Sequence, residues 1–144
     1  MKREILQEPD PRLSVVCAPI DPMTAPTKLG EIVGGLLDTL GETDLGIAAP
    51  QIGEPFRVVL AKIPSLTVAV NPSWTRCGPL RPGAERCLSV SSATASRRVF
   101  RHIAIDAEWM SVDGTKKGAR LTGRDAVVFQ HEVDHLDGIT INRK

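Results

Sequence analysis

The segment from Arg124 to Asp137 constrains the fold most, because it has the pattern of a helix that must be buried. Its first half contains Ala126-Val127-Val128-Phe129, a run that is apolar on every side of a helix. A helix that is apolar all round belongs in an interior. Thr122 is placed to cap its start with Asp125 three residues later, and Gly138 suits the position after its end. The polar residues of its second half are therefore expected to be buried too.

Those polar residues form the pattern His131-Glu132-Val133-Asp134-His135. Histidines at positions i and i+4 lie one turn apart on one helix face, so both imidazoles can reach a single metal ion. Glu132 lies about 100° around the helix from His131. This position is poor for a third ligand but allows Glu132 to reach a water molecule on the metal. The pattern indicates a metal-dependent hydrolase with Glu132 as the catalytic base.

A catalytic metal centre of this type needs a third protein ligand and one open position. Nine residues follow His135, and none of them is Glu, His or Cys. Asp137 lies too near in the helix and on the wrong face. The third ligand must therefore come from upstream, where the candidates are the acidic residues, His102, Cys17, Cys77 and Cys87.

Composition excludes several classes of function. The net charge of +1 provides no general attraction for nucleic acid or anionic lipid, and the basic clusters are expected to be solvated faces. These clusters contain Arg97, Arg98 and Arg101, then Lys116, Lys117, Arg120 and Arg124. The odd number of cysteines, three, argues against a disulfide framework. No secretory signal and no apolar run near the ~20 residues of a membrane span are present, so we expect a cytoplasmic protein that binds neither membranes nor specific nucleic-acid sequences.

Hydrophobic periodicity predicts the remaining elements. An amphipathic helix is expected over residues 29–40, with Thr24 as its N-cap and Gly41 at its end. Residues 43–53 should form a loop. Strands are expected at 56–63, 66–70 and 98–110, and a hairpin turn at 111–114 should pair 116–121 with the preceding strand. Without βαβ alternation, these elements favour an α+β fold with antiparallel sheets around the buried helix, plus one N-terminal amphipathic helix.

Three motifs resemble those of the peptide deformylase family. Glu85-Arg86-Cys87-Leu88-Ser89 is similar to the family's EGCLS motif, and residues 131–135 match its HExDH motif. Residues 44–51, DLGIAAPQ, are similar to GxGxAAxQ, and residues 8–13 are similar to the family's N-terminal segment. The resemblance covers nearly the whole chain, so we expect residues 1–144 to form a single catalytic domain of this type.

The resemblance implies that Cys87, His131 and His135 hold a divalent metal ion with a water molecule in the fourth position. It implies that Glu132 takes a proton from this water and gives it to the leaving amine. It also implies that the Gln51 side chain and the Leu88 backbone N–H donate hydrogen bonds to the tetrahedral intermediate. Iron(II) is implied in cells, whereas zinc, nickel or cobalt suit the same ligands in isolated protein.

The implied substrate is the N-formyl-methionine end of a new polypeptide, which would yield formate and a free amino terminus. The methionine side chain would enter a pocket lined by Leu45, Val127, Val128 and His131, with Glu85 near its wall. Gly46 would let the substrate backbone approach closely. A transient ribosome contact and a monomeric state are expected by analogy. Two alternatives stay open: hydrolysis of another formyl or acyl amine, and a non-catalytic homologue that binds metal and peptides.

Three positions depart from the family pattern. Asp44 replaces the first glycine of the loop motif, Arg86 replaces the glycine of EGCLS, and Arg124 stands where the family's pocket helix usually has an apolar residue. An ion pair between Asp44 and Arg86 across the cleft is one hypothesis for how they coexist. The chain ends six residues after Gly138, so we expect it to lack the C-terminal extension that some members use to contact the ribosome.

Overall fold

The chain forms two antiparallel sheets and two helices in a computed structural model, which describes residues 1–90, 96–142 and 144. The helices are α1 (Pro26–Thr39) and α2 (Gly123–Leu136). The strands are β1 (Gly46–Ala48), β2 (Val58–Lys62), β3 (Leu66–Arg76), β4 (Leu80–Glu85), β5 (Arg97–His102), β6 (Ala104–Met110) and β7 (Lys116–Thr122). One sheet has the order β1-β2-β3-β6-β7, and β4 pairs with β5 in the other. The expected mixture of helices and antiparallel sheets is confirmed.

Strand β2 lies between the two helices and joins the two halves of the core. Val59 and Ala61 pack in one cluster with Phe129 of α2, whereas Val58 and Leu60 pack in a second cluster with α1. All four β2 residues have no exposed surface, and successive side chains of a strand point to opposite faces. A strand covered on both faces carries a continuous apolar run. This packing fixes α2 against the large sheet.

The prediction of one strand over residues 98–110 is wrong in one respect, because the chain passes from one sheet to the other within this range. Strand β5 ends at His102 and β6 begins at Ala104, and the two belong to different sheets. The Ile103 N–H donates to the Pro79 carbonyl at this junction. No glycine, proline or asparagine marks the change, so the pattern of the sequence contains no signal for it.

Other boundaries also differ from the expectations. Helix α1 begins at Pro26 with Ala25 as its N-cap, not Thr24, and the expected loop over 43–53 contains β1 and a 3₁₀ turn at Ala49–Ile52. Thr122 is the N-cap of α2 but makes no side-chain capping bond. The hairpin pairing of β6 with β7 is confirmed. None of the described helices is long and apolar enough to cross a bilayer.

Glu54 forms ion pairs with residues of α1 and of the N-terminal segment. Lys28 Nζ lies 2.8 Å from Glu54 Oε1, and Arg3 Nη1 lies 3.3 Å from Oε2. Burial raises the pKa of Glu54, but the hydrogen bonds from Lys28 and Arg3 outweigh it and hold this pKa below its ordinary value. A carboxyl group with a depressed pKa stabilises the fold above its unfolded pKa and loses this contribution as the pH falls.

We therefore expect Glu54→Gln to lower the free energy of unfolding by about 1 kcal/mol at pH 7. The difference from wild type should shrink as the pH falls below about 4, because the unfolded chain takes up a proton at Glu54 there, whereas the folded protein does so only at lower pH. Urea unfolding at pH 7 and pH 3.5 measures both values. Glu31→Gln, on the exposed surface of α1, is the matched control and should change stability little. A loss of equal size at both pH values would contradict the ion-pair explanation.

Candidate active site

Helix α2 presents two histidines and a glutamate at the base of a cleft. The rings of His131 and His135 lie 5.3 Å apart between centroids. His135 is 1% exposed and Glu132 is 4% exposed. The apolar residues of the same helix pack on the large sheet, so these polar groups are held at fixed positions in the interior.

Cys87 joins the two histidines from the segment that follows β4. Its Sγ lies 3.2 Å from His135 Nε2. One ligand atom from each of Cys87, His131 and His135 lies within 4.8 Å of the others. Within the described residues, this is the one group of three His, Cys, Asp or Glu side chains with such spacing. Two imidazoles and a thiolate form a donor set that suits a tetrahedral divalent ion with one open position, so the site fits a metal.

The other upstream candidates lie away from this cluster. Cys17 is buried in the core beside α2, and Cys77 is exposed. His102 Nδ1 is 2.8 Å from the Gly78 carbonyl, and its ring stacks at a tilt on Trp74. All three cysteines are free.

His131 is hydrogen-bonded to a buried network of Glu85, Arg101 and Asp134. His131 Nδ1 lies 2.9 Å from Glu85 Oε1, which leaves Nε2 for the metal site. Arg101 holds Glu85 through two hydrogen bonds of 2.9 Å and also donates to Asp134. Burial raises the pKa of Glu85, but hydrogen bonds from His131 and Arg101 outweigh it and lower the pKa to about 2. If His131 binds a metal, a carboxylate that orients its ring in this way would tune the metal affinity.

Arg101 was expected on a solvated face, and that expectation is wrong. Its side chain is 3% exposed. The signal in the sequence is the alternation of strand β5, because Arg101 stands two residues after Val99, which is also buried. The remaining residues of the basic clusters, apart from half-buried Arg97, are exposed as expected.

Gln51 is held in one orientation from both ends of its amide. Its Oε1 accepts a hydrogen bond of 2.9 Å from the Ala48 N–H, and its Nε2 donates to Ser89 Oγ at 3.1 Å. The same Nε2 lies 3.8 Å from Cys87 Sγ. Ser89 is fully buried and was not among the predicted site residues, although it lies two positions after Cys87 in the quoted motif.

The N-terminal segment forms hydrogen bonds with the backbone of Gln51, Leu88 and Ser89. The Leu6 N–H donates to the Gln51 carbonyl at 2.7 Å, and the Glu8 N–H donates to the Ser89 carbonyl at 2.8 Å. Gln7 Nε2 donates to the Leu88 carbonyl at 2.8 Å. Residues from the start of the chain thus hold both segments that reach the Cys87–His131–His135 cluster.

Glu132 is enclosed and its carboxylate is incompletely bonded. Its Oε1 is buried and has no hydrogen-bond partner among the described residues. Burial is the main reason that the pKa of Glu132 is raised to about 7, although His131 and Arg101 lower it in part. A Cβ atom on Gly46 would lie 2.6 Å from Glu132 Oε2, so only glycine leaves room for this carboxylate.

A cleft of about 890 Å³ opens above these groups. It brings together every predicted catalytic and substrate-binding residue, namely Leu45, Gly46, Gln51, Glu85, Leu88, Val127, Val128 and Glu132, together with Cys87 and His131. His135 lies deeper, as its burial shows. Asp44, Arg86 and Arg124 also line the cleft.

The hypothesis of an Asp44–Arg86 ion pair is wrong. No such pair forms in the part of the chain that the structure describes. Asp44 Oδ2 instead accepts a hydrogen bond of 2.8 Å from the Gly41 N–H. The Asp44 carboxylate is turned toward its own loop, and Arg86 remains exposed.

Comparison with known proteins identifies the family. The family model described as polypeptide deformylase matches residues 2–144. The chain belongs to the peptide deformylase family. It is therefore a hydrolase of the peptide deformylase type, as its relatives are named.

Two relatives and one solved structure illustrate the similarity. Peptide deformylase 2 of Vibrio vulnificus is 36% identical over 94% of this chain and 81% of its own length. A protein named peptide deformylase-like, from Bradyrhizobium diazoefficiens, is 35% identical over 95% of this chain and 81% of its own length. The actinonin-bound class I type b peptide deformylase of Acinetobacter baumannii is 26% identical with a TM-score of 0.88, and the match covers 100% of this chain and 99% of that one.

We expect Gly46→Ala to lower deformylase activity at least about 10-fold. The new Cβ would meet Glu132 Oε2 at 2.6 Å and the Leu60 carbonyl at 2.9 Å, so the carboxylate must move, and small displacements of reacting groups are costly. Formate release by the metal-loaded variant measures the effect. Gly34→Ala on α1 is the control, since nothing lies within 4 Å of its added Cβ. Full activity in Gly46→Ala would show that glycine at this position is not needed to hold Glu132 in place.

Proposed function

We propose that the chain removes the formyl group from formyl-methionine at the N-terminus of new polypeptides, using a divalent metal ion held by Cys87, His131 and His135. The observation that carries this proposal is the cleft in which the Cys87–His131–His135 cluster, Glu132 and Gln51 face one another, in a chain of the peptide deformylase family. The Acinetobacter relative has been solved with actinonin bound, which supports a ligand-binding site in a protein of this fold.

A bound divalent ion would lower the pKa of a water molecule and polarise the formyl oxygen. Glu85 would orient His131 through the hydrogen bond to Nδ1, so that Nε2 is the ligand atom. We expect iron(II) in cells, and zinc, nickel or cobalt in isolated protein, because the donor set accepts all four.

Glu132 is proposed as the general base and later the general acid. Its enclosed carboxylate, with Oε1 unbonded in the described structure, would take a proton from the attacking water. It would then carry this proton to the leaving amine. Enclosure keeps bulk water from competing for the proton.

Gln51 and Leu88 are proposed to stabilise the negative charge that develops on the formyl oxygen. The amide of Gln51 is oriented by Ala48 and Ser89 before any substrate binds, and preorganised donors of this type are worth about 3 kcal/mol each. Leu88 directly follows Cys87 and lines the cleft, which supports this role for its backbone N–H.

The substrate is proposed to bind along the edge of the large sheet. Strand β1 is an edge strand, and an extended peptide can add to such an edge through main-chain hydrogen bonds. Gly46 in this strand allows close approach. The methionine side chain would enter between Leu45, Val127 and Val128, near Glu85, and Leu45 is 40% exposed there. We further propose that residues 1–144 act as one catalytic domain, monomeric and cytoplasmic, with transient contact to the ribosome.

The direct test is formate release from formyl-Met-Ala-Ser by protein loaded separately with iron(II), nickel and zinc. We expect formate release with at least one metal. Acetyl-Met-Ala-Ser yields acetate, so its hydrolysis is measured as acetate; we expect none, because its extra methyl group would need space beside Gly46 and Gln51. No formate with any metal at full metal occupancy would overturn the proposed function. Equal hydrolysis of the acetyl peptide would instead support the wider class of acyl-amine hydrolases.

The metal ligands are tested by Cys87→Ser. A serine hydroxyl is a poor ligand beside two imidazoles, so we expect metal affinity to fall more than about 100-fold, beyond the loss typical of outer-shell changes. Chelator competition measures the affinity, and formate release should fall in parallel. Cys77→Ser is the matched control, because Cys77 is exposed and outside the cluster. Unchanged metal affinity in Cys87→Ser would remove Cys87 from the ligand set.

A further inference from the structure

Two arginines in the cleft have no protein partner among the described residues. Arg86 and Arg124 both line the cleft and are exposed. No described residue forms an ion pair or hydrogen bond with either guanidinium. An arginine stays charged at every pH at which proteins fold. The cleft therefore carries two permanent positive charges that are not paired with any described residue.

The other charged groups of the cleft are already engaged. Glu85 is neutralised by Arg101 in the buried network, and Glu132 lies at the enclosed base beside the metal cluster. Asp44 is the remaining carboxylate in the lining, and it accepts from the Gly41 N–H. One acid therefore faces two arginines, and the outer cleft has a net positive charge.

The position of Arg124 places its charge away from the reacting atoms. It stands seven residues before His131 on α2, which corresponds to about 10 Å along the helix axis. Side chains of a helix lean toward its N-terminus, so the guanidinium points away from His131. Val127 lies between the two on the same helix face. An apolar side chain can thus lie against Val127 while the next part of a bound peptide reaches Arg124.

We propose that Arg86 and Arg124 are specificity-determining residues that select formyl-methionyl peptides with an acidic residue directly after the methionine. The inference rests on the proposed deformylase function and adds a substrate class to it. A carboxylate at this second position can form charge-assisted hydrogen bonds with a guanidinium. A lysine at the same position would meet two like charges. Neither arginine touches the reacting formyl group in this scheme, so the preference should appear in KM and leave kcat nearly unchanged.

The test compares formyl-Met-Glu-Ser with formyl-Met-Lys-Ser, using metal-loaded protein at low ionic strength. For the wild type we expect kcat/KM to be at least about 10-fold higher for the glutamate peptide, in the range of charge-assisted hydrogen bonds. The ratio should fall about threefold in Arg124→Gln and approach 1 in Arg86→Gln/Arg124→Gln. It should also fall in 1 M salt, where the screening length is about 3 Å.

Two further variants test whether the preference for glutamate depends on charge and on charges within the cleft. Asp44→Asn removes the opposing carboxylate, keeps an acceptor for Gly41, and should raise the ratio. Lys117→Gln removes an equal charge from exposed β7, outside the cleft, and should leave the ratio unchanged. Metal content and thermal unfolding of each variant show that the site and the fold are intact.

Binding provides a readout that does not depend on turnover. In the Glu132→Ala background, calorimetry should give a lower Kd for formyl-Met-Glu-Ser than for formyl-Met-Lys-Ser. Adding Arg124→Gln should reduce the difference between these two Kd values. A wild-type ratio near 1, or a preference that persists in the double arginine variant, would overturn the inference and leave the proposed function standing. Absence of formate from every peptide would overturn the proposed function and this inference with it.

Discussion

Replacing Glu132 with glutamine is expected to lower kcat for formate release by about 10³-fold, within the range attributed to general acid–base groups. Glutamine keeps the size of the side chain and the space beside Gly46, but it cannot accept the proton from water. Since Gln51, the proposed metal ligands and the proposed methionine pocket are unchanged, KM should change little. Steady-state kinetics with formyl-Met-Ala-Ser measure both constants.

Metal analysis of the same Glu132→Gln preparation is the essential control, because lost metal would imitate a lost base. Glu108→Gln on the exposed side of β6 is the matched substitution and should retain full activity. If Glu132→Gln holds a full complement of metal and keeps more than a tenth of wild-type kcat, another group must serve as the base.

Replacing Arg101 with methionine is expected to lower the free energy of unfolding by about 3–5 kcal/mol, the usual cost of breaking a buried ion pair. The substitution removes the guanidinium from between the buried carboxylates of Glu85 and Asp134. Glu85 keeps His131 and Asp134 keeps Lys144 as described partners, but neither carboxylate keeps its buried arginine. Small proteins have only about 5–15 kcal/mol of stability in total, so this one change can halve it. Urea unfolding at pH 7 measures the loss.

Two comparisons separate this effect from a general effect of removing arginine. Arg120→Met removes the exposed ion pair with Asp106 and should cost less than about 1 kcal/mol. The triple variant Arg101→Met/Glu85→Gln/Asp134→Asn also removes the two buried carboxylate charges and should recover part of the stability. If Arg101→Met is no more harmful than Arg120→Met, the buried network does not stabilise the fold.

The helix with the two histidines was predictable because several local signals agree. The apolar run at residues 126–129 predicts a buried helix. The spacing of His131 and His135 places both side chains on one face of that helix. Gly138 adopts a positive φ of 75°, which suits the end of a helix. Each of these signals lies within a few residues of the element that it predicts. The structure then brings His131, Glu132 and His135 to the base of the cleft beside the other predicted site residues.

The features that the sequence did not predict depend on contacts between distant segments. Spacing alone left Cys87 among several possible ligands, and only the family resemblance selected it. Arg101 looked like part of a solvated cluster, since a guanidinium is buried only where partners such as Glu85 and Asp134 converge on it. Strand β1 is three residues long, too short for alternation to be visible. The orientation of Asp44 depends on its loop and cannot be read from its neighbours in the sequence.

The bonds from Leu6 to Gln51 and from Glu8 to Ser89 have a consequence for how the protein acquires activity. The groups that meet at the cleft come from the beginning, the middle and the end of the chain, and contacts between segments so far apart in sequence are slow to form. No fragment that lacks either end contains the whole arrangement. Recovery of formate release during refolding should therefore lag behind the return of secondary structure. Catalysis would then serve as a reporter that the first and last segments have both docked.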